Sequence, residues 1–445
     1  MMSHRFCLLF ACGLLSTPIA SASAQSFAFT TIAGQPGNVG LADGTNNNAR
    51  FNYPSCIAVD GSGNLYVSDV LNHTIRKIQP VGSDWVVTTI AGSPGVPGTN
   101  DGVNSQALFN RPNGLGLDSQ GNLFVADHYN HTIRKMTPDG TNWIVSTIAG
   151  TPGNRGSGLD GTNDQARFWS PTGLAVDGGG RLYVVDTLNF TIRGITAIGS
   201  DWVTSTLAGT PLNYGFADGV NDLAEFNYPY CVAVGNGGPV YITDWGNGAI
   251  REVTPSGTDW VVTTIAGGPG PAGSQDGPGA RATFNDPNGI AIDQENNLYV
   301  SDQSNHTIRK LTPSQKEWTV STIGGMPLQA GSTDGIGADA RFKKPWGITV
   351  DKVGNLYIVD YLNHSIRKGS PQVATAPVLQ ISAVGGALVL TWPASASNYV
   401  LEANSAVSPG TPWTPITNGI TASPDDFSLT TSPSSSSAFY RLRRN

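Results

Sequence analysis

The feature that most constrains the fold is a sequence unit of about 58 residues that occurs six times. Its simplest marker is an Asp-Gly pair, which begins at Asp43, Asp101, Asp160, Asp218, Asp276 and Asp334, at intervals of 58, 59, 58, 58 and 58 residues. Each pair is followed by a Phe and, three residues later, by a Pro. An apolar run, a Gly/Asn turn and a stretch such as Asn-Leu-Tyr-Val-Ser-Asp come next. A period of this kind indicates an architecture in which each unit is one supersecondary element.

Each unit contains four strand-like segments. In the first copy they are residues 56–60, 64–68, 74–79 and 85–91, which are short, rich in Val, Ile, Thr and Tyr, and bounded by Gly, Asn and Pro. The abundant glycine, 55 residues, suits short strands joined by tight turns. Four strands in each of six repeats predict an all-β fold, a six-bladed β-propeller.

The two ends of the repeat region predict how the ring closes. The first five copies each have a fourth segment led by a Trp, namely Trp85, Trp143, Trp202, Trp260 and Trp318. The sixth copy stops after 365–368 without one, whereas Phe27-Ala-Phe-Thr-Thr-Ile-Ala-Gly34 matches the missing segment with Phe27 at the Trp position. We therefore expect the N-terminal strand to complete the sixth blade and leave no open sheet edge.

The N-terminus predicts export. Arg5 precedes an apolar run from Phe6 to Leu15, which ends near small residues at 22–24. This pattern is typical of a secretory signal peptide, here residues 1–24, and the run is too short to span a bilayer. We expect a periplasmic, cell-surface or extracellular protein without a transmembrane segment, and most simply a monomer.

Charge argues against some partners. The formal net charge is −7, or −8 once Arg5 is removed with the signal peptide, and Lys and Arg are not clustered in the sequence. This balance argues against nucleic acid or an anionic membrane surface as the partner.

Two cysteines remain after residue 24, and they share one repeat position. Cys56 lies in the first copy and Cys231 in the fourth, which are opposite each other in a ring of six. Their separation should exceed the Cα distance of roughly 7 Å that a disulfide allows. The sequence predicts two free and largely buried thiols.

The repeat resembles the NHL-repeat family. The likeness lies in Gly-Asn-Leu-Tyr-Val-x-Asp-x-x-Asn-His-x-Ile-Arg and in the preceding Asp-Gly…Ala-Arg-Phe-x-x-Pro, and it covers about three quarters of the chain. The resemblance implies a six-bladed propeller. It does not select a function, because NHL-like propellers include RNA-binding domains, an amidating lyase and exported interaction domains.

The signature Asp, Asn and Arg occur in every copy, so we interpret them as structural. Short polar side chains stabilise tight loops between strands, and the Arg can pair with the Asp. The residues concerned are Asp69, Asn72, Arg76, Asp127, Asn130, Arg134, Asp186, Asn189, Arg193, Asp244, Asn247, Arg251, Asp302, Asn305, Arg309, Asp360, Asn363 and Arg367.

The histidines of the signature do not predict a metal site. His73, His131, His306 and His364 fill one position, at which the third and fourth copies have Phe190 and Gly248. Side chains spread one to a blade are too dispersed to share a zinc ion, whose ligands lie at roughly 2 Å. The amidating lyase of the wider family binds zinc through pore-side histidines. His128 is the only histidine after residue 24 outside the repeat position, so that site does not carry over.

No cofactor, metal ligand or catalytic residue is predicted. A row of turn aspartates, Asp60, Asp118, Asp177, Asp293 and Asp351, leaves calcium possible, but no Asp-x-Asp-x-Asp-Gly loop with a distal Glu accompanies it. Serine chemistry lacks a Gly-x-Ser-x-Gly context.

Positions that differ between copies are the candidates for ligand binding. The loop that enters the first strand and the loop between the second and third strands should lie on one face, where loop sequence varies over a rigid scaffold. The candidate ligand-binding residues there are Tyr129, Trp169, Tyr230, Trp245, Trp346, Tyr361, Asn113 and Asn288. Aromatic faces with amide neighbours suit a glycan or a peptide, and they equally suit loop packing.

A second domain is expected after the propeller. We place the propeller at residues 25–369, a linker at 370–376 and a small β-sandwich at 377–445 that loosely resembles immunoglobulin or fibronectin III modules. Its alternating segments are 378–382, 387–392, 399–403, 427–430 and 438–442, with Trp392 and Trp413 expected in its core.

Together these features predict an exported binding or scaffold module for a protein, peptide or glycan ligand. The alternative is a metal-dependent propeller hydrolase or lyase of the lactonase or streptogramin-lyase type. Acidic, amide or imidazole groups converging on the channel mouth would favour the enzyme, and a channel lined by small aliphatic residues would favour binding.

Overall fold

The structure is a computed structural model in which residues 26–235, 237–314, 317–372, 379–384, 387–393, 399–404, 412–423, 425–431 and 439–444 are described. These residues form two compact units, one reaching Gln372 and the other comprising the residues from 379 onward. No helix among them is long and apolar enough to cross a membrane.

The first unit is a six-bladed β-propeller, which confirms the predicted fold. Each blade is an antiparallel sheet of five strands, and the strand nearest the channel is called the first strand. First strands are Pro54–Val59, Pro112–Leu117, Pro171–Val176, Pro229–Val234, Pro287–Ile292 and Pro345–Val350. Second strands are Leu65–Asp69, Leu123–Asp127, Leu182–Asp186, Val240–Asp244, Leu298–Asp302 and Leu356–Asp360. Third strands are Thr74–Val81, Thr132–Asp139, Thr191–Ile198, Ala249–Ser256, Thr307–Pro313 and Ser365–Pro371.

The outer part of each blade has one more strand than the sequence predicts. Outer strands are Asp84–Ala91, Asn142–Ala149, Asp201–Ala208, Asp259–Gly267, Trp318–Gly324 and Phe27–Ala33. Two-residue clip strands pair with their free edges: Gly44–Thr45, Gly102–Val103, Gly161–Thr162, Gly219–Val220, Gly277–Pro278 and Gly335–Ile336. The clip strands lie in the crossovers between blades and cover edges that would otherwise be open to pairing.

The remaining regular structure of the propeller consists of short 3₁₀ turns. One set follows the clip strands, at Asn46–Asn48, Asn104–Gln106, Asn163–Gln165, Asn221–Leu223, Gly279–Arg281 and Gly337–Asp339. The other follows second strands, at Val70–Asn72, Thr187–Asn189, Trp245–Asn247, Gln303–Asn305 and Tyr361–Asn363. This second set forms the loops of the face that we call the loop face.

The N-terminal strand closes the ring, as predicted. Phe27–Ala33 pairs on one side with Ser365–Pro371 and on the other with the clip strand Gly335–Ile336. The third strand of this blade continues to Pro371, and the Gln372 backbone N–H donates to the Ser26 carbonyl at 2.8 Å. The propeller therefore extends three residues past the predicted boundary at 369.

An exchange of side-chain size accommodates this strand. Phe29 is fully buried and pairs with Gly369 of the third strand. At the same third-strand position the other blades have Ile78, Met136, Ile195, Val253 and Leu311, each paired with a valine or a threonine of the outer strand. A Cβ at position 369 would lie 2.6 Å from the Phe29 ring. Glycine is required there because the phenyl ring occupies the space of the missing side chain.

Aromatic pairs join successive blades. The residue that leads each outer strand packs edge-on against an aromatic ring of the second strand in the neighbouring blade, with ring centroids 5.7–6.1 Å apart. The pairs are Tyr66 with Trp143, Phe124 with Trp202, Tyr183 with Trp260, Tyr241 with Trp318, Tyr299 with Phe27, and Tyr357 with Trp85. Phe27 thus performs at the closure the packing that Trp performs elsewhere.

The second unit consists of two small antiparallel sheets. The four-stranded sheet contains Gln380–Val384, Ala387–Pro393, Ile420–Ala422 and Asp426–Thr431, and the three-stranded sheet contains Tyr399–Asn404, Thr414–Pro415 and Phe439–Arg444. Trp392 lies in its core, stacked on Phe427 at 5.8 Å. Trp413, also expected in the core, is half-buried, and the Arg441 guanidinium lies 4.2 Å from its ring centroid.

Candidate functional site

The signature Asp, Asn and Arg form one buried cluster in every blade. In the first blade the Asp69 carboxylate accepts from the Arg76 guanidinium at 2.6 Å and from the Asn72 amide at 2.8 Å. Its other oxygen accepts from the Asn52 backbone N–H at 2.7 Å. All three side chains are buried, so the cluster offers no group to a ligand.

The same geometry repeats in the other five blades. The Asp–Arg pairs lie 2.7–2.9 Å apart: Asp127 with Arg134, Asp186 with Arg193, Asp244 with Arg251, Asp302 with Arg309, and Asp360 with Arg367. The matching amides are Asn130, Asn189, Asn247, Asn305 and Asn363. Each Arg also pairs with the Asp of the Asp-Gly marker, as Arg76 does with Asp43 at 2.7 Å, and thereby attaches the crossover to the blade.

The repeat histidines connect neighbouring blades. His364 Nδ1 accepts from the Tyr53 backbone N–H at 3.2 Å, and His73 Nδ1 accepts from that of Arg111 at 3.1 Å. His131 and His306 do the same for Ser170 and Lys344. Because Nδ1 is the acceptor, each of these imidazoles is neutral with its proton on Nε2. Burial lowers the pKa of all four, which favours this neutral form.

The turn aspartates are also committed to local structure. One Asp60 oxygen accepts from the backbone N–H groups of Ser62 and Asn64, both at 2.9 Å. The other accepts from the Asn64 amide at 2.8 Å. Among the residues that the structure describes, no group of three or more His, Cys, Asp or Glu is arranged to hold a metal ion.

Two rings of variable residues surround the channel on the loop face. The residue before the repeat Pro forms an outer ring of Tyr53, Arg111, Ser170, Tyr228, Asp286 and Lys344, all at positive φ between 49° and 59°. The residue after the Pro forms an inner ring of Ser55, Asn113, Thr172, Tyr230, Asn288 and Trp346. The outer ring is the variable position that sequence reasoning missed.

The inner ring closes the channel. The Asn113 amide donates to the Tyr230 hydroxyl at 2.9 Å, although the two residues belong to blades 2 and 4. The Tyr230 ring meets Trp346 of blade 6 edge-on at 5.3 Å. Three alternate blades thus meet across the mouth, and we call Asn113, Tyr230 and Trp346 the plug. Tyr230 is a structural barrier here, because its side chain contacts residues of blades 2 and 6 across the mouth and its hydroxyl accepts from Asn113. Burial raises the pKa of this hydroxyl, which therefore stays protonated.

Of the other three inner-ring residues, two form hydrogen bonds to plug residues and the third has no hydrogen-bond partner among the described residues. Ser55 donates to the Asn113 amide oxygen at 2.6 Å, and Thr172 donates to the Tyr230 carbonyl at 2.6 Å. Asn288 is only 1% exposed, and neither its amide oxygen nor its amide nitrogen has a hydrogen-bond partner among the described residues. A buried amide without partners is costly, which singles out this position.

Below the plug the channel is narrow and offers little chemistry. Its cavity of about 220 Å³ is lined by the first strands, whose side chains are aliphatic apart from Cys56, Cys231 and Thr349. Both cysteines are free. Burial raises the pKa of the Cys56 thiol to about 12 and raises that of Cys231, so both remain protonated at neutral pH.

The predicted aromatic residues do not form one site. Trp346 packs on Tyr361 at 4.2 Å, and Tyr361 meets Tyr53 at 5.1 Å, so these three form a ridge over blades 6 and 1. Tyr129 lies in blade 2, beneath the Arg111 guanidinium at 4.5 Å. Trp169 lies in blade 3 beneath Arg155 at 5.0 Å.

The remaining predicted aromatic, Trp245, belongs to a separate cluster. Its ring meets Tyr228 at 6.3 Å, and Tyr228 meets Phe190 at 5.3 Å. Tyr214 adds a fourth ring, 5.7 Å from Phe190 and 67% exposed. We call Phe190, Tyr214, Tyr228 and Trp245 the blade 3–4 patch. It lies where the repeat histidine is replaced by Phe190 and Gly248.

Comparison with known proteins identifies the repeat. The NHL repeat matches residues 51–78, 109–136 and 284–311. Blades 1, 2 and 5 thus contain NHL repeats. The chain is 28% identical over 330 residues to Protein SUPPRESSOR OF QUENCHING 1, chloroplastic, of Arabidopsis thaliana, covering 71% of this chain and 30% of that protein. It is 27% identical over 363 residues to the Bos taurus NHL repeat-containing protein 2, covering 74% of this chain and 48% of that protein. The chain therefore spans less than half the length of these relatives.

Solved structures show the same architecture for the NHL propeller. A Bacteroides thetaiotaomicron protein of unknown function is 20% identical with a TM-score of 0.57, covering 78% of this chain and 76% of its own. An auxiliary nutrient binding protein from the same species is 18% identical with a TM-score of 0.58, covering 77% and 76%. At these identities the likeness concerns the fold.

Proposed function

We propose that the protein is an exported binding module that recognises a glycan, peptide or protein ligand on the loop face of its NHL propeller. The observation that carries the proposal is the blade 3–4 patch. Tyr214 is 67% exposed and Tyr228 is 42% exposed, and the rings contact each other over a crossover and two blade loops. Contiguous exposed aromatic groups on an otherwise polar surface mark interaction sites.

The plug favours a ligand-binding site on the surface of the loop face over one deep in the channel. Asn113, Tyr230 and Trp346 close the mouth, so a ligand on this face would contact a floor of side chains and the loops around it. The buried Asp–Arg clusters fix the loops that present the patch, because each Asp also accepts a backbone N–H from the loop entering the first strand. A rigid scaffold with variable loops favours recognition.

The remaining assignments belong to the same proposal. Residues 1–24 would be a signal peptide, which places the protein in the periplasm, at the cell surface or outside the cell. The small sheets from residue 379 onward would serve as a spacer or attachment module of immunoglobulin or fibronectin III type. A nutrient-binding role, as in the name of the Bacteroides neighbour, would agree with a glycan ligand.

The test is a binding screen of the purified protein against glycan and peptide arrays, with and without calcium. A Tyr228→Ala, Trp245→Ala variant would remove the blade 3–4 patch, and a Val353→Ala variant would be the control, since Val353 is 75% exposed in a turn between a first and a second strand. Binding lost only in the patch variant supports the proposal. Binding that survives the loss of the patch contradicts it.

The alternative of a metal-dependent hydrolase or lyase has less support from the residues present. The groups that converge on the channel mouth are amides, hydroxyls and aromatic rings, without a carboxylate or imidazole in the inner ring. His128, the histidine outside the repeat position, faces the Pro171 carbonyl with Nδ1 at 3.2 Å. Burial lowers its pKa to about 4, so it is neutral at physiological pH.

A further inference from the structure

Four cationic side chains lie in one arc of the loop face. Arg111 and Lys344 occupy the outer ring in blades 2 and 6, and Lys343 precedes Lys344. Arg155 extends the row into blade 3 through its contact with Trp169. We call Lys343, Lys344, Arg111 and Arg155 the cationic arc. It extends from blade 6 to blade 3, with Tyr53 at the outer-ring position of the intervening blade 1, on a chain whose net charge is −7.

The arc lacks acidic partners. Every signature Arg of the blades forms two ion pairs, as Arg76 does with Asp43 and Asp69. None of the four arc residues forms an ion pair within the described part of the chain. The acid of the outer ring is Asp286 of blade 5, outside the arc, and its carboxylate accepts from Ser304 at 2.5 Å.

The arc is continuous with aromatic side chains. The Arg111 guanidinium lies 4.5 Å from the Tyr129 ring centroid and donates to the Tyr129 hydroxyl at 3.1 Å, which fixes its position. Between Arg111 and Lys344 lies the ridge of Tyr53, Tyr361 and Trp346. Arg111 is close enough to the ridge to interact with Tyr361 electrostatically. Burial raises the pKa of the Tyr361 hydroxyl, and the positive charge of Arg111 partly offsets this increase.

From this arrangement we infer that the ligand of the loop face is a carboxylate-bearing carbohydrate, bound with its acidic groups on the cationic arc and its sugar rings against the neighbouring aromatic side chains. This inference rests on the proposed function and specifies its ligand class. Guanidinium groups bind carboxylates through paired hydrogen bonds, and unpaired cations without acidic neighbours attract anions.

Other polymers fit the face less well. An extended peptide would gain affinity by adding to a strand edge, but the outer edges of the blades carry clip strands. Nucleic acid binding requires many phosphate contacts and an overall basic surface, whereas the arc has four cations on an acidic chain. A sugar polymer with one carboxylate per residue matches a row of cations that is interrupted by aromatic rings, as Lys344 and Arg111 are separated by the ridge.

The experiment compares polygalacturonate oligomers with their methyl esters, which differ in charge and little else, by calorimetry at low salt. We expect the acid form to bind and an Arg111→Gln, Lys343→Gln, Lys344→Gln variant to bind it at least about tenfold more weakly. A variant with Lys77→Gln, Arg281→Gln and Lys352→Gln carries the same change in net charge outside the arc and should bind as the wild type does.

Each other outcome overturns the inference in a recognisable way. Equal binding of acid and ester, unchanged in the arc variant and lost in the Tyr228→Ala, Trp245→Ala variant, would refute the anionic ligand and leave the proposed function standing. Equally tight binding of polyglutamate or single-stranded DNA would show that charge alone is recognised. No binding of the acid form would also refute the inference, while the array screen would decide the proposed function separately.

Discussion

At the scale of single residues, the two inner-ring asparagines occupy the same position in the repeat but differ in their hydrogen bonding. Asn113 accepts from Ser55 and donates to Tyr230, whereas the Asn288 amide has no partner among the described residues. Both are almost fully buried. They therefore form a matched pair for testing what a buried amide contributes.

We expect Asn113→Leu to lower the free energy of unfolding by about 1–3 kcal/mol, because it removes the hydrogen bonds of this amide to the Ser55 and Tyr230 hydroxyls. Asn288→Leu should be neutral or stabilising, since it removes an unsatisfied polar group and strands no partner. Urea denaturation of both variants measures the difference. A destabilising Asn288→Leu would show that this amide is satisfied in solution.

The repeat histidines predict an acid sensitivity. Burial, with Lys343 beside it, lowers the pKa of His364. The unfolded chain therefore binds this proton more readily than the folded protein does. Stability from this group is present above the ordinary histidine pKa of about 6.5 and is lost as the pH falls below it.

The test uses a replacement that the chain already contains. His364→Phe should recreate on Tyr53 the edge-on contact that Phe190 makes with Tyr228, at similar ring separations of 4.7 and 5.3 Å. We expect a thermal midpoint near that of the wild type at pH 7.5 and a smaller loss between pH 7 and pH 5. An identical pH profile in the two proteins would contradict the proposed protonation.

At the scale of strands, the closing blade depends on a large side chain opposite a glycine. Phe29 fills the space that Ile, Met, Val or Leu fills in the other blades, and Gly369 accommodates its ring. We expect Gly369→Leu to destabilise the protein by about 1–3 kcal/mol through overpacking. Phe29→Val should destabilise it by a similar amount or more by leaving a cavity.

The double variant Phe29→Val, Gly369→Leu should recover most of this loss, because it restores the pairing of the other five blades. The coupling energy from a double-mutant cycle in urea would measure the exchange. Additive losses would mean that the two positions do not compensate each other.

Much of this architecture could be predicted from the sequence because it repeats. The 58-residue period, the Trp segment absent from the sixth copy and its counterpart at Phe27 determine the blade number and the closure. The clip strands escaped prediction since a two-residue strand such as Gly44–Thr45 carries no periodicity.

The candidate site was less predictable because it depends on where single side chains point. Asn113, Tyr230 and Trp346 share a repeat position. The order of residues in the sequence does not show that Tyr230 reaches across the channel mouth to Asn113 in another blade. The outer ring was not among the predicted residues although its position varies from copy to copy, because the sequence does not show that these residues, at positive φ, lie around the channel. Tyr214 and Tyr228 belong to the patch because both contact Phe190, which replaces the repeat histidine in blade 3. These contacts between blades are seen only in the structure.

At the scale of the whole molecule, the ring geometry keeps the two cysteines apart. Cys56 and Cys231 belong to opposite blades and line the same channel below the plug. Because burial raises the pKa of Cys56 to about 12 and also raises that of Cys231, thiolate is scarce at neutral pH. Reaction with Ellman's reagent should therefore be slow in the native protein.

The chain from Gln25 onward should release two thiol equivalents on unfolding without a reductant, and a Cys56→Ser variant should release one. Tyr230→Ala, which removes the centre of the plug, should speed the native reaction. Absence of titratable thiols after unfolding would indicate a disulfide and contradict the placement of these cysteines in opposite blades.

The closure of the ring also determines when the protein can finish folding. The Thr31 backbone N–H donates to Asp334, a partner 303 residues farther along the chain. The strand Phe27–Ala33 therefore leaves the ribosome early and can pair only after the last blade has been made. Contacts of such high sequence separation slow folding and expose unpaired edges meanwhile. A nascent chain stalled within the fifth or sixth blade would have an unpaired strand near its N-terminus and an incomplete sheet at its growing end. We expect the dependence of folding on chaperones to be greatest at that stage of synthesis.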